Sequence, residues 1–452
     1  MPISQTGARM DTEADDYLNE WREVPLTSVA DIRFSSVNKV SQPGEEPVRL
    51  CNYTDVYNND YVTADMDFMR ATATKSEIER FGLQVGDVII TKDSETPDDI
   101  GIPTVVDTTA PDLVCGYHLA LLRPKQDGVD PTFLAKQLAH HRIARYFGQQ
   151  ANGTTRYGLS TAAISNAPLH LPRPENQRSA SALMRMVDVQ IAQTESVIAK
   201  LKQVRAGMLH DLLSYGLDEH GQLRDPVAHP EQFKDSPLGL IPREWDVCTL
   251  DSLGRWAGGK TPSKANSEFW APGLTLWVTP KDVKDTEVVN TEDRLSRIGS
   301  SIMEIFPAGS LLVVGRSGIL RHTLPVAIAK SPFTINQDLK VLAPNRQDDE
   351  PIAKFLLLVL LSRDQDILRR CVKVGTTVES IDWKDFKNLL IGWPSKSERV
   401  RICNHIETFD RKLSLFSCEL KKLTYFKYGL QDDLLIGRVR VPETIMEGAE
   451  NA

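Results

Sequence analysis

LKQVRAGMLHDLL at residues 201–213 and LTYFKYGLQDDLL at residues 423–435 decide the fold, because each ends a long stretch of helical pattern. A shift of 222 residues places one on the other, so that Gly207 matches Gly429 and the Asp-Leu-Leu ends coincide. The same gap-free shift relates residues 133–213 to residues 355–435. The chain is therefore predicted to contain two copies of one structural unit.

Each copy follows the same order of elements. Trp21 opens the first and Trp245 the second, and a strand-rich part, an apolar helix, a Gly-Thr-Thr turn and a long terminal helix follow. The turns lie at residues 153–155 and 375–377. This order predicts an α+β fold made of two tandem domains of similar structure. The alternative is two unrelated α+β domains.

Both terminal helices carry a narrow seam at alternating spacings of three and four. The seam positions are Met184, Val187, Ile191, Thr194, Ile198, Leu201, Arg205, Met208 and Leu212 in one copy, and Ile406, Phe409, Leu413, Phe416, Leu420, Leu423, Lys427, Leu430 and Leu434 in the other. Such a seam predicts a coiled coil, with the other copy as its partner. A local two-fold axis between the copies would run the helices antiparallel. In the alternative, each helix packs on its own domain.

The seam contains two unusual features. Both copies place a cation at the same position, Arg205 and Lys427, and a glycine two residues later, Gly207 and Gly429. A glycine inside a helix costs about 1 kcal/mol relative to alanine. We therefore expect another group to approach the backbone closely at both glycines, unless the helix ends or kinks there.

Bulk properties describe a globular chain of several domains. Its 452 residues suggest two to four domains, and 41% hydrophobic with 25% charged residues argues against general disorder. No apolar run approaches the ~20 residues of a membrane helix, and residues 355–361 fit a buried helix better. The polar start, residues 1–16, is expected to be a frayed lead-in without a secretory signal.

The cysteines argue against metal binding and disulfides. Six are scattered along the chain without a CxxC pair. We expect no zinc site and no disulfide framework, and a reducing cytoplasm as the compartment.

One stretch imitates a nucleotide-binding loop. Residues 254–261, GRWAGGKT, match the Walker A pattern. That loop requires a buried strand before it and a helix opening at its Lys-Thr pair. Here a short polar lead-in precedes the stretch and a turn-like PSKAN follows it. We expect no nucleotide site, although a P-loop ATPase or nuclease remains an alternative function.

Several segments resemble one protein family. In the second half these are GGKTPS (258–263), FW (269–270), LWVTPKD (276–282), GRSGILRHTLPVA (315–327) and TINQD (334–338). In the first half they are IITKDSE (89–95) and VCGYHL (114–119). Together with the paired helices they resemble the specificity subunit of type I restriction–modification enzymes, from Trp21 to about Gly437.

The resemblance implies a division of labour. Each target recognition domain would read one half of a bipartite double-stranded DNA target, while the paired helices set the spacer and dock two modification subunits. Those methyltransferase subunits would carry S-adenosylmethionine, and restriction/translocase subunits would complete the enzyme. This chain would hold no cofactor, metal or catalytic residue. Its net charge of -8 leads us to expect weak DNA binding without partners.

The implied arrangement is pseudo-two-fold symmetric, with two long antiparallel helices forming a coiled coil. The predicted boundaries are a flexible N-terminus (1–20), the first recognition domain (21–170), a central spacer helix region (171–225), the second recognition domain (226–392), a C-terminal spacer helix region (393–440) and a flexible tail (441–452). The 29 residues 184–212 would span about 43 Å. One turn of B-DNA is about 34–36 Å, so the helices are predicted to act as a ruler.

Polar residues after strands are the candidate DNA contacts. In the first domain they are Lys92, Asp93, Ser94, Tyr117, His118, Arg156 and Tyr157. In the second they are Lys260, Thr261, Ser263, Lys281, Arg316, Ser317, Arg321, His322, Asn336 and Gln337. We expect arginine to contact guanine or phosphate, and Asn336 or Gln337 to pair with adenine. For each residue the alternative is a capping or loop-stabilising role.

The partner-facing and seam candidates lie on the two long helices. They are Ile191, Ile198, Leu201, Arg205, Gly207, Leu413, Leu420, Leu423, Lys427 and Gly429. A coiled-coil assembly scaffold without a DNA role is the remaining alternative.

Overall fold

The computed structural model describes residues 20–125, 128–344, 350–375 and 378–441. Most of both predicted flexible ends, and the two threonines of the Gly-Thr-Thr turn at residues 375–377, lie outside these ranges. The chain divides into a first unit, Met1–Glu195 with Cys418–Ala452, and a second unit, Ser196–Ser417. Both long helices, Pro174–Ser214 and Lys396–Leu435, are shared between the units in this division.

The first unit is a mixed α/β domain. Its strands are β1 (Arg22–Pro25), β2 (Ala30–Phe34), β3 (Glu46–Cys51), β4 (Tyr61–Val62), β5 (Met69–Ala73), β6 (Val88–Thr91), β7 (Asp93–Ser94), β8 (Pro103–Val106), β9 (Leu113–Cys115), β10 (Leu119–Pro124), β11 (Tyr157–Gly158) and β12 (Pro168–Leu171). Its short helices are Leu26–Val29, Tyr53–Tyr57, Lys75–Phe81, Pro131–Ala139, His141–Gln150 and Thr161–Ser165.

A five-stranded sheet in the order β2-β10-β6-β8-β4 forms the centre of the first unit. Every residue of β6 and β8 is buried, as expected for central strands covered on both faces. Helix Pro131–Ala139 packs beside β8. Asp130 caps this helix by accepting from the Phe133 amide at 2.9 Å, and Pro131 occupies its first turn.

The second unit has the strands β13 (Phe233–Ser236), β14 (Gly239–Pro242), β15 (Asp246–Thr249), β16 (Gly254–Gly258), β17 (Thr275–Val278), β18 (Glu287–Val288), β19 (Arg294–Leu295), β20 (Leu311–Val314), β21 (Val326–Ala329), β22 (Phe333–Ile335), β23 (Leu339–Pro344), β24 (Val372–Lys373), β25 (Ser380–Ile381) and β26 (Leu390–Trp393). Its short α-helices are Arg297–Ser301, Glu350–Ser362, Asp364–Cys371 and Trp383–Lys387. Its five-stranded sheet has the order β16-β23-β20-β21-β18.

The two units share one topology. In both five-stranded sheets the pairing is antiparallel except at the last strand, since β4 pairs in parallel with β8 and β18 with β21. Each unit also has a three-stranded sheet containing one parallel pair, β3 with β9 and β17 with β22. The alternative of two unrelated domains does not fit these matching connections.

The long helices bury the predicted seam. All eighteen seam residues are buried or half-buried, whereas most positions between them are exposed. In the first unit, Met184 shares a hydrophobic core with Leu434. In the second unit, Leu212 shares a core with Ile402 and Ile406. Within each unit the helix segments thus pair antiparallel, and their ends also join the globular cores, so both packing arrangements considered from the sequence contribute.

Charged pairs fix the helix register in each unit. In the second unit, Arg205 Nη2 donates to Asp410 Oδ2 at 2.9 Å. In the first unit, Lys427 Nζ lies 2.8 Å from Asp188 Oδ1. Arg205 and Lys427 are the repeated seam cations, and the 222-residue shift also relates Asp188 to Asp410. Each cation therefore pairs with the aspartate contributed by the other copy.

The Walker-like stretch is not a phosphate-binding loop. Gly254–Gly258 forms strand β16, which pairs with β23 along its whole length. No helix opens at Lys260 and Thr261. The strand geometry therefore removes the nested backbone amides that such a loop needs. Among the described helices, none has the length and apolar character to cross a membrane.

Candidate nucleic-acid interface

The candidate residues of the first unit gather where β6 ends and β10 begins. The Lys92 amide donates to the His118 carbonyl at 3.1 Å, and the Leu159 amide donates to the Lys92 carbonyl at 2.9 Å. Just beyond, β7 pairs with β11, which sets Tyr157 opposite Ser94. The fold thus brings residues 92–94, 117–118 and 157 together from three parts of the chain.

His118 is the most constrained residue of this cluster. Its φ of 74° lies in the left-handed region, which is uncommon for residues other than glycine, although histidine adopts it more often than most. Its Nδ1 lies 2.5 Å from Asp93 Oδ2. The contact with Asp93 fixes the orientation of both side chains.

Exposed aromatic and basic groups surround this pair. The Tyr117 ring is 48% exposed and its centroid lies 4.0 Å from that of His118. Lys92 Nζ lies 5.1 Å from the Tyr117 ring centroid. Arg156 is exposed on the loop just before β11. The cluster offers a planar ring, cationic donors and a carboxylate, which are groups that contact bases and phosphates.

Several candidate residues of the second unit gather at the matching place, where β20 ends and β23 begins. The amides of Gly315 and Arg316 both donate to the Asp338 carbonyl, at 2.7 and 3.1 Å. The Ser317 amide donates to the Glu379 carbonyl at 3.1 Å. The Ser317 side chain accepts from Ile319 and so caps a short 3-10 turn. Ser317 thus has the capping role that was the alternative to DNA contact.

Two adjacent candidates in the loop after β22 differ in their exposure. Asn336 is only 6% exposed, and its Nδ2 donates to Asp338 Oδ2 at 2.9 Å. The Asn336 amide thus stabilises the loop, and its expected pairing with adenine stays a prediction. Gln337 is exposed, and its Oε1 accepts from the Thr261 hydroxyl at 2.7 Å. Gln337 is thus the amide of this pair that faces solvent.

Arg321 is linked to the cluster by its hydrogen bond to Glu379. Its Nε donates to Glu379 Oε1 at 2.5 Å. The Glu379 side chain is 5% exposed, and the bond from Arg321 lowers the pKa of its carboxyl group. No described residue donates to the other oxygen, Oε2. His322 follows Arg321 and is exposed.

The remaining candidates lie on two other segments. The Lys260 carbonyl accepts from Trp277 Nε1 at 3.3 Å, and the Ser263 carbonyl accepts from Trp270 Nε1 at 3.0 Å. Two indoles thus hold the backbone of this loop while the Lys260 side chain faces solvent. Lys281 is exposed on a separate turn after β17, and the described contacts do not join it to the others.

The two clusters occupy the same place in the shared fold. The Leu159 amide donates to Lys92 O at 2.9 Å, and the Ile381 amide donates to Gly315 O at 2.8 Å. The Lys92 amide donates to the His118 carbonyl, and the Gly315 amide likewise donates to the Asp338 carbonyl. Lys92 and Gly315 are therefore equivalent positions. Arg316 therefore stands where Asp93 does. Part of each candidate set therefore lies at equivalent positions of the shared fold, next to β6 and β10 in the first unit and next to β20 and β23 in the second.

Glu379 and a pair of tryptophans were not predicted from the sequence. Glu379 lies just after the Gly-Thr-Thr turn, and only the strand pairing brings it to Arg321. Lys264 Nζ lies 3.8 Å from the Trp270 ring centroid and 4.9 Å from that of Trp277. The FW and LWVTPKD segments contain both indoles, but the order of residues gives no sign of this stacking.

The two helical glycines face open space. No described atom lies within 4 Å of the position that a Cβ would take at Gly207 or Gly429. The close approach expected from the sequence is therefore not made by the described part of this chain, and both helices continue through the glycines. Gly207 lines a cavity of about 460 Å³ with Val204 and Leu223, and Phe426 is exposed near Gly429.

One group of described residues has the composition of a metal site. Ligand atoms of His140, His141 and Asp432 lie within 4.8 Å of one another. His140 Nε2 is 3.0 Å from Asp432 Oδ1, and this bond lowers the pKa of the Asp432 carboxyl group. Arg438 also approaches Asp432, at 3.9 Å. The cluster is thus a charge network that joins the end of the second long helix to the first unit.

Comparison with known proteins finds similarity to one family. Residues 242–425 match the family model described as "Type I restriction modification DNA specificity domain". Over 290 residues, 62% of this chain, it is 31% identical to the EcoR124I/EcoR124II specificity subunit of Escherichia coli. This chain is similar to the specificity subunits of type I restriction–modification enzymes.

The relatives match over different lengths. The alignment spans 65% of the E. coli subunit, so the chain covers just under two thirds of that relative. The HindI specificity subunit of Haemophilus influenzae is 22% identical over 93% of this chain and 100% of its own length. The similarity to specificity subunits thus extends to more than one relative.

Solved structures of the family agree on the fold. The S subunit of a type I system from M. genitalium superimposes with a TM-score of 0.54 at 14% identity, covering 92% of this chain and 96% of that one. A second structure, from a study of type I complex assembly and conformational transition, gives a TM-score of 0.55 at 16% identity, covering 92% and 97%. At these identities the likeness concerns the fold alone.

Proposed function

We propose that this chain reads DNA sequence for a type I restriction–modification complex, with each unit contacting one half of a bipartite double-stranded target. The observation that carries the proposal is the placement of the two candidate clusters. They lie at equivalent strand ends of two copies of one fold, although their side chains differ. A shared scaffold with different exposed groups is what two readers of different half-sites require.

The exposed groups suggest how each half-site is read. In the first unit, Tyr117 and Arg156 are the groups free to reach a groove, while the contact between Asp93 and His118 holds the loop. In the second unit, Arg316 and Gln337 are exposed at the equivalent place. Arginine suits guanine and glutamine suits adenine in the major groove.

The paired helices are proposed to set the spacer between the half-sites. The crossed ion pairs Arg205–Asp410 and Lys427–Asp188 support an antiparallel coiled coil with pseudo-two-fold symmetry. Each pair locks the helix register in its own unit, and each is the symmetry counterpart of the other. Helix Pro174–Ser214 has 41 residues, a length of about 62 Å at 1.5 Å per residue.

Two methyltransferase subunits carrying S-adenosylmethionine, together with restriction/translocase subunits, are the proposed protein partners. The open surfaces at Gly207 and Gly429 support docking on both long helices, because a helix without a side chain there allows a partner backbone to approach closely. The net charge of -8 disfavours phosphate contacts, so a partner is expected to provide much of the affinity for DNA.

In this proposal the chain is not an enzyme and works in the cytoplasm. The Walker-like stretch is a strand, and all six cysteines are free, which suits a reducing compartment. Nucleotide titration tests the enzymatic alternative. Micromolar ATP binding that Lys260→Ala abolishes would revive it.

Co-expression with the modification subunit, followed by footprinting of the purified complex, tests the proposed function. The expected result is two short protected segments separated by a stretch of fixed length whose sequence is free to vary. A single contiguous footprint would contradict it, and a complex that forms without any footprint would favour a scaffold.

A further inference from the structure

The two units place different side chains at the same position of their shared fold. In the first unit, Tyr61 at the start of β4 places its ring between the sheet and the first long helix. Its hydroxyl donates to Asp188 Oδ2 at 3.0 Å. The Arg185 guanidinium carbon and Lys136 Nζ lie 5.0 and 5.6 Å from the ring centroid. Burial raises the pKa of the Tyr61 phenol, so it remains a hydrogen-bond donor at neutral pH.

Backbone hydrogen bonds identify the equivalent location in the second unit. The Val105 amide donates to Asp60 O at 3.1 Å, and the Ile328 amide donates to Thr286 O at 2.9 Å. The parallel strand pairs then align Tyr61 with Glu287. The repeat shift aligns Asp188 with Asp410. The second unit therefore has a carboxylate where the first has a phenol ring.

A cavity of about 510 Å³ occupies this location in the second unit. Its apolar lining includes Ile328, Leu357, Leu358 and Ile406. Burial raises the pKa of Cys403, which also lines it, to about 11, so this thiol stays protonated and is not a nucleophile. The volume lies within the ~300–1,000 Å³ typical of ligand sites.

Charged residues form the rim of this cavity. Lys330 Nζ lies 2.5 Å from Glu287 Oε1, and Lys354 Nζ lies 2.8 Å from Glu407 Oε1. These pairs are about half exposed, which leaves the cations at the mouth. Asp410 lies among the lining residues, and its carboxylate has acceptor capacity beyond its bonds to Arg205.

We propose that this cavity receives a tyrosine side chain from a partner polypeptide. The first unit shows the complementary arrangement within its own chain, with an apolar floor, cations beside the ring and an aspartate that accepts from the hydroxyl. The second unit keeps the aspartate and the apolar floor and has lysines at the rim, but lacks the ring. A phenol entering from outside restores each contact, and buried aromatic anchors dominate many interfaces.

The inference rests on the proposed function in one respect, since it takes the partner to be the modification subunit. The internal comparison also predicts an asymmetry. The second unit needs an aromatic group from a partner, and the first unit does not, because Tyr61 already fills its site. Two copies of the partner are therefore expected to dock with unequal affinity.

The test fills the cavity from within the chain. Glu287→Tyr places the missing ring on β18, and Ala308→Trp blocks the mouth from an exposed position that also lines the cavity. Glu304→Tyr is the matched control, because it makes the same substitution at an exposed position outside the cavity lining. p-Cresol, the tyrosine side-chain analogue, is the probe, and its binding to the full chain is followed by saturation-transfer NMR.

We expect saturable p-cresol binding by the wild type and Glu304→Tyr, and affinity lowered at least about tenfold, or 1.4 kcal/mol, in both cavity variants. The affinity of the second modification subunit is expected to fall by a similar factor. Unchanged p-cresol binding and assembly in both cavity variants would overturn the inference, as would a self-association of the wild type that these variants abolish. Methylation by the wild-type complex is measured in parallel. If the wild-type complex methylates a bipartite target but both cavity variants assemble unchanged, this inference is wrong and the proposed function stands. If the wild-type complex gives no bipartite methylation pattern, the proposed function is wrong.

Discussion

Arg205 and Asp410 form a two-point ion pair between the long helices, in which Nη2 lies 2.9 Å from Oδ2. Lys427 and Asp188 repeat the pair in the other unit at 2.8 Å. Because each cation and its aspartate come from opposite copies, one contact made twice sets the register of an antiparallel helix pair. The register is thus specified by charge as well as by the apolar seam.

Removing this contact is expected to weaken the helix pair measurably. Both side chains are partly exposed, so a double-mutant cycle with Arg205→Ala and Asp410→Ala is predicted to give a coupling of about 1 kcal/mol. Urea unfolding measures it. The more exposed pair Arg255–Glu304 serves as a control with a smaller expected coupling. Equal coupling energies for the two pairs would show that a location in the seam adds no stability to an ion pair.

Acid is expected to weaken the Asp60 network of the first unit. Burial opposes ionisation of Asp60, but Lys136 and Lys427 outweigh it and lower the pKa of Asp60 to about 2. The unfolded value is near 4, so the stabilisation is complete above about pH 4 and is lost as the pH falls towards 2. The Tm difference between wild type and Asp60→Asn should shrink across that window. A Tm difference that stays constant across this pH range would argue against a stabilising role for the ionised Asp60 carboxylate.

The helical glycines separate docking from folding. Since nothing described lies within 4 Å, Gly207→Ala should stabilise the helix by up to about 1 kcal/mol. Gly207→Leu should fold normally but bind the modification subunit more weakly, and Ala199→Leu, at another exposed position on the same helix, serves as its control. Parallel losses of Tm and assembly in Gly207→Leu would instead indicate simple destabilisation.

Arg316 offers a test of half-site reading. Arg316→Ala is predicted to cost about 1–3 kcal/mol and to relax specificity in one half-site only. Lys281→Ala, on the separate exposed turn, should weaken all sequences alike and lower the salt dependence of binding. Competition binding with single-base variants of the target measures both. Relaxed specificity in both half-sites after Arg316→Ala would conflict with one unit reading each.

The spacer prediction needs insertions in both helices. Ala199 precedes Arg205 by six residues and Phe416 follows Asp410 by six, so four residues added beside each preserve the antiparallel pairing in this region. Four residues make about one helical turn. The tolerated DNA spacer should lengthen while both half-sites stay unchanged. An unaltered spacer would exclude the helices as the measuring element.

The sequence was sufficient for the duplication and the seam, because both are periodic in one dimension. It identified Arg205 and Lys427 as equivalent but not their aspartate partners, because that pairing depends on an antiparallel arrangement of distant segments. The sequence did not distinguish Asn336 from Gln337, because it does not show which side chain is buried. In the structure only Asn336 is buried in the loop. The cavity at Glu287 was invisible, because only aligned strand pairs reveal that Tyr61 fills the same location elsewhere.

Domain exchange tests the central claim most directly. Residues 21–170 are replaced by the corresponding domain of a relative with a different target, and methylated sites are then mapped in a host carrying the hybrid and its modification subunit. We predict that one half-site changes, while the other half-site and the spacer length are retained. A change in both half-sites, or in neither, would contradict a chain built from two independent readers.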